Sequence, residues 1–274
     1  MHLHGGPGPW LIAIVAGVLV YLALAAREAR RGRRISRFRL LALLTGAMLL
    51  GVAFWPAALP WPPGDFRHHM LQHLLIGMLA PIALVLSAPV TLLLKSLPTR
   101  AARNVVRLLH SAPFRVLCNP VVALSLNIGG MAALYFTPLY TLAMHEPVVH
   151  HWMHIHFLFA GYLFAWVIAG ADPAPARPSV PVRLVVLGVA IAFHASLSQL
   201  LYAGIFVSLP IGAAERQGAA ALMYYGGDIA ELLLAFALVS TWRPGNKGRA
   251  PAPAFSVRAR PAPATRFAVK RSDA

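Results

Sequence analysis

Acidic residues are scarce in this sequence: Asp and Glu together number 8 among 274 residues, against 24 Lys and Arg. Charged residues of both signs make up only 12%, too few for a water-soluble domain of this size. Cysteine is nearly absent. Cys118 stands alone, which excludes an intrachain disulfide and any metal site built only from thiolates of one chain. There is no Walker loop, no Gly-x-Ser-x-Gly elbow, and no Ser/His/Asp arrangement that can be placed. Nothing therefore argues for an enzyme.

Apolar residues are abundant. They form 58% of the chain, and the mean hydropathy is +0.66. A bilayer core of about 30 Å takes roughly 20 apolar helical residues. Seven runs qualify, near 10–26, 39–59, 69–94, 118–142, 152–170, 182–209 and 219–241. The expected fold is an all-α polytopic membrane bundle of seven transmembrane helices over residues 1–242. A basic Pro/Ala-rich tail, 243–274, should be disordered and held near anionic lipid. No internal repeat is evident. Pro81 and Pro89 should kink the third span.

The net charge of +16 would ordinarily point to nucleic acid. Here the basic residues lie between apolar runs, so the membrane surface is the better partner and nucleic acid is not expected. Twenty-two of the 24 Lys and Arg fall in alternate connections and the tail; only Arg67 and Arg216 fall on the other side. The positive-inside rule then places the N-terminus outside and the C-terminus in the cytoplasm. The first span lacks a basic n-region, and Arg27 follows its Ala-Leu-Ala at once, as in a retained anchor rather than a cleaved signal.

With that topology the histidines sort to one face. His2, His4, His68, His69, His73, His145, His150, His151, His154 and His156 lie at or near the outer side. His69 and His73 are four apart, as are His150 and His154, so each pair shares a helix face. Both pairs open inward-running helices, which puts His73 and His154 at similar depth, roughly 6 Å inside. Two facing pairs would supply four imidazoles for a metal. Imidazole suits copper, zinc and iron, and the thioethers of Met70, Met144 and Met153 favour Cu(I). The competing reading is that these are solvated interfacial histidines. His68, His151 and His156 point elsewhere and are weaker candidates.

His194 lies deeper, about 18 Å up the sixth span, and Asp228 lies about 15 Å down the seventh. Intramembrane ionisable groups face the bundle interior and pair. A His194–Asp228 contact is expected, with Gln199 nearby and Glu231 one turn further in. Gly226-Gly227, Gly129-Gly130 and Gly161 should be close-packing points between helices. Trp55, Trp61 and Trp152 suit the outer aromatic belt.

Three segments resemble the CtaG family of cytochrome c oxidase assembly factors, the caa3-type multi-span proteins. They are HHMLQHLLIGMLAPIALVLSAPV (68–90), HEPVVHHWMHIHFLFAGYLFAW (145–166) and ERQGAAALMYYGGDIAEL (215–232). The third is similar to a family segment usually written DQQLGGLIMWVPGG. It departs from it in having Glu215 and Arg216 for Asp-Gln, Ala219 and Ala220 for Gly-Gly, and Tyr225 for Val. The resemblance implies a role in assembling a haem-copper oxidase, with oxidase subunits as partners, in the bacterial cytoplasmic membrane. Together with the histidine rim it implies copper on His69, His73, His150 and His154; a second copy of the chain is also a candidate partner. Two other classes fit the same residues. One is a haem-binding electron-transfer protein with two of these histidines as axial ligands. The other is an ion or proton transporter working through His194, Asp228 and Glu231, against which stands the lack of an inverted repeat.

Overall fold

A computed structural model describes residues 8–241 except 175, 176, 208 and 210. His2, His4 and the 243–274 tail lie outside the described residues. Eleven α-helices follow one another, with no strand among the described residues: α1 Gly8–Arg30, α2 Arg37–Phe54, α3 Phe66–Leu86, α4 Pro89–Ser96, α5 Thr99–Leu109, α6 Ala112–Leu117, α7 Pro120–Phe136, α8 Leu139–His145, α9 Pro147–Ala169, α10 Val180–Ala203 and α11 Ala213–Thr241. Six of them (α1, α2, α3, α9, α10 and α11) are long and apolar enough to cross a membrane. A seventh crossing is formed if the bent pair α7–α8 counts as one span. The protein is thus an all-helical, multi-pass membrane protein.

The bundle is built around α9. Its apolar window is 67% buried, against 6% for α1 at the periphery. Around α9 pack α3, α7, α10 and α11, while α2 lies against α3 and α1 against α2 and α4. Side chains such as Ile12, Leu19, Leu232 and Phe236 stay more than half exposed. That is the expected state of a face turned to lipid tails, which are as apolar as the core.

The second and sixth spans stop short of the expected limits, at Phe54 and Ala203 rather than 59 and 209, and the fifth and seventh begin earlier, at Pro147 and Ala213 rather than 152 and 219; the third and fourth are broken. The third stops at Leu86 rather than at 94. Pro89 lacks an amide hydrogen, and its ring disfavours helical geometry at the residue before it. Ala88 accordingly takes a left-handed conformation at φ 53°, and α4 starts afresh. Asp172 holds this break: its carboxylate accepts from the amides of Val90 (3.0 Å) and Thr91 (2.7 Å), capping α4. The Tyr21 hydroxyl donates to the Ser87 carbonyl at 2.8 Å. Pro81 falls just after a single π turn, Leu75–Leu79, inside α3. The fourth span ends at Phe136, not at 142. Pro138 keeps Thr137 extended, and α8 leaves at 78° to α7.

The glycines expected at helix crossings are mostly there. A side chain at Gly161 would strike the Gly77 carbonyl of α3, so these two glycines let α3 and α9 cross backbone to backbone. Gly130 makes room for the His156 ring, Gly226 for Leu74 and Gly227 for His194. Gly129 faces open space and packs nothing. Replacing Gly161 with Ala should therefore destabilise the bundle by about 1–3 kcal/mol through overpacking, while Gly129→Ala should be neutral or slightly stabilising. Thermal unfolding of the two variants in the same detergent checks this, and equal midpoints would remove the crossing from the account.

Candidate functional site

The two histidine pairs occupy the first turns of α3 and α9. The chain enters α3 through Asp65, which accepts from the Arg67 amide at 2.8 Å and is clamped by the Arg67 guanidinium at 2.6 Å. Those hydrogen bonds hold the Asp65 carboxyl below the usual carboxylate range. α11 adds a second cap: Glu215 accepts from the Phe66 amide at 2.5 Å. A carboxylate at this position satisfies an orphan amide and opposes the positive end of the helix dipole. It also ties the start of α11 to the start of α3, which explains why an acidic residue stands here.

His69, His73 and His154 are 5–6% exposed, so they are buried rather than solvated at the rim. His69 lies beside Tyr140, ring centroids 5.0 Å apart, and its Nε2 is 3.3 Å from the Tyr135 hydroxyl. That hydroxyl also lies 3.7 Å from the Met70 sulfur. His73 packs on Phe157 at 4.4 Å between ring centroids. His150 and His154 are neighbours at 4.6 Å, and His154 meets Phe54 edge to face at 5.5 Å.

The four imidazoles thus share one end of the bundle. They do not form a finished coordination shell. Among the described residues no three His, Cys, Asp or Glu side chains stand in ligating positions. The physical reason is the Gly77–Gly161 crossing. Above it α3 packs on α11 rather than on α9, and the ring of Phe157 fills the space beside His73.

Hydrogen bonding separates the histidines further. His68 Nδ1 is 2.7 Å from the Trp61 carbonyl, His151 Nδ1 is 2.6 Å from the Pro147 carbonyl, and His156 Nε2 is 3.2 Å from the Leu126 carbonyl. Each of these weaker candidates spends a ring nitrogen on the backbone. By contrast both ring nitrogens of His73 and the Nε2 of His154 are buried without a hydrogen-bond partner. Native proteins rarely leave such groups unpaired. The chemistry of the donor set therefore fits a metal ion, with Tyr135 and Met70 alongside.

Sequence reasoning missed Tyr135, Tyr140, Trp10 and Phe54, which wall the site. The available signal was the pair of tyrosines flanking Thr137-Pro138: polar-tipped aromatics on either side of a helix break at the same end as the histidines.

The deep pair needs a correction. His194 is 2% exposed, as an intramembrane histidine should be, but its Nδ1 faces Glu231 Oε1 at 3.4 Å, not Asp228. Depth placed both acids near His194. Three residues of helix rotate the side chain by about 60°, and that rotation makes Glu231 buried while Asp228 is only half-buried. Gln199 is exposed on the far side of α10. A cavity of about 30 Å³, lined in part by His73, Asn127, Met131, His194 and Glu231, joins the deep pair to the rim. It has room for about two waters.

Glu231→Ala should cost on the order of 1–2 kcal/mol by stranding His194 in hydrocarbon, and Asp228→Ala clearly less. Unfolding of the two variants in denaturant measures the difference. An equal loss, or a larger one at Asp228, would contradict the Glu231 assignment.

Comparison with known proteins identifies the family. No solved structure matches the chain. A protein of Mycobacterium bovis described as uncharacterized is 36% identical over 190 residues, covering 66% of this chain and 29% of its own length. A Mycobacterium leprae protein, also described as uncharacterized, is 34% identical over 190 residues, covering 67% of this chain and 29% of its own. The chain therefore matches less than a third of the length of these relatives. The family described as cytochrome c oxidase caa3 assembly factor (Caa3_CtaG) matches residues 19–244, which take in every span from the second onward and both histidine pairs. The chain belongs to the family of cytochrome c oxidase caa3 assembly factors.

Proposed function

We propose that this protein takes up copper at the histidine rim and hands it to a subunit of a cytochrome c oxidase during assembly, in the bacterial cytoplasmic membrane. The observation that carries the reading is His73. Both ring nitrogens of the buried His73 stand unpartnered, as does the Nε2 of His154 at the same end of the bundle. Leaving a buried polar group unsatisfied costs about 1–3 kcal/mol, and a metal ion on one ring nitrogen would recover part of that cost, the other nitrogen keeping its proton for a water in the adjoining cavity. Imidazole with nearby thioether suits copper, and an unfinished shell suits exchange rather than permanent storage. His69 and His150 complete the donor set when the rim closes. The copper is cargo, and the protein turns over no substrate.

Under this reading the rim faces outward. The charge distribution supports that orientation, since 22 of the 24 basic residues belong to the opposite end or the tail. The haem alternative fares worse, because the cavity at His73 has room for about two waters and not for a porphyrin.

Replacing His73 and His154 together with Ala should abolish copper retention and lower oxidase activity in cells grown under limiting copper, while this protein's abundance stays close to normal. Full oxidase activity in that double variant would sink copper delivery. In a variant lacking Cys118, a cysteine placed at Glu146 should react with an impermeant reagent from outside and one placed at Arg103 should not; the reverse pattern would invert the topology.

A further inference from the structure

A second pocket lies at the opposite, basic end of the bundle, where α1 gives way to α2. It has a volume of about 260 Å³ and is lined by Tyr21, Glu28, Arg33, Arg34, Ile35, Ser36, Arg39, Leu92 and Lys95. Four cations thus surround one carboxylate. That carboxylate is already committed: Glu28 is 1% exposed, 2.9 Å from Arg31 and 3.5 Å from Arg33. Among the described residues no acid pairs with Arg34, Arg39 or Lys95.

The local backbone adds to the positive field. Ser36 caps the 18-residue α2 without any side-chain hydrogen bond to its amides, and the first turn holds no acid. Arg37 and Arg39 stand there instead, the wrong sign for a helix start unless an anion neutralises it. A helix start of this kind, with no side-chain cap and with guanidinium groups lining the same pocket, is suited to a phosphate. The membrane side of the pocket is apolar. Leu92 is buried, and Ile35 packs with it in a small cluster that includes Tyr21 and Leu43.

We propose that this pocket binds a phosphate group, and that the phosphodiester headgroup of an anionic lipid is its natural source. Arg34, Arg39, Lys95 and the first amides of α2 would take the phosphate oxygens, while Leu92 and Ile35 would lie along the glycerol and upper acyl chain. A fully soluble anion would leave that apolar wall unused. The inference does not depend on copper, since the pocket is at the other end of the bundle from the histidines.

The test uses the full chain in detergent. The probes are phosphatidylglycerol, phosphatidylcholine and inorganic phosphate, read by retained lipid in native mass spectrometry and by thermal midpoint. Two triple variants are compared, Arg34→Gln/Arg39→Gln/Lys95→Gln in the pocket and Arg100→Gln/Arg103→Gln/Arg107→Gln on α5, which removes equal charge. The wild-type protein and the α5 variant should retain phosphatidylglycerol, and it should raise their midpoints by several degrees over phosphatidylcholine. The pocket variant should lose both effects. Lys95→Gln alone, at an exposed position, should weaken retention several-fold without disturbing the fold. Stabilisation of the wild type but not the pocket variant by inorganic phosphate, with no lipid retained, would keep the site and assign it to the free anion. Equal retention by both triple variants, or equal loss from both, would overturn the proposal in favour of undirected surface charge.

Discussion

Hydrocarbon offers no hydrogen bonds, and that constraint organises this protein. Helices answer it for the backbone. For side chains, each buried polar group must find a partner within the bundle or be held for a ligand. Most find one. Tyr21 donates to the Ser87 carbonyl, Arg183 to the Ile168 carbonyl, and Gln72 to the Ala53 carbonyl. Asp172 and Glu215 spend carboxylate oxygens on helix starts. Some do not, among them Ser96 Oγ, Trp166 Nε1 and one nitrogen of Arg183, and in that group His73 is distinguished by having both nitrogens of a metal-ligating ring unused.

The same constraint explains the geometry around the site. A metal centre needs its donors to converge, whereas a tight helix crossing needs small residues and fixes where two helices are closest. Here the closest point is Gly77 against Gly161, about one turn below His73 on α3. The histidine pairs lie above it, where the helices diverge and aromatic rings fill the gap. An arrangement of this kind keeps the donors near one another without locking them together. It is compatible with the proposed uptake and release of copper.

The all-helical, multi-span architecture was legible in the sequence because hydrophobic length is an average over many residues. Single-residue events were less legible. Pro89 could kink a continuing helix or end it, and the outcome turned on Asp172, more than eighty residues away, capping the new helix start. The break at Thr137 followed from Pro138, but its 78° angle did not. In the site, spacing identified which histidines share a face. It could not tell Asp228 from Glu231, since both lie at a suitable depth and only the rotation of α11 about its axis separates them. Nor could it find Tyr135, whose contact with His69 spans 66 positions.

The central claim is that the rim imidazoles form the copper ligands. X-ray absorption of the full protein loaded with one equivalent of Cu(I) tests it most directly. The account predicts imidazole scattering from at least two histidines near 2 Å, lost in the His73→Ala/His154→Ala double variant. A copper shell without imidazole, or one unchanged in that variant, would contradict it.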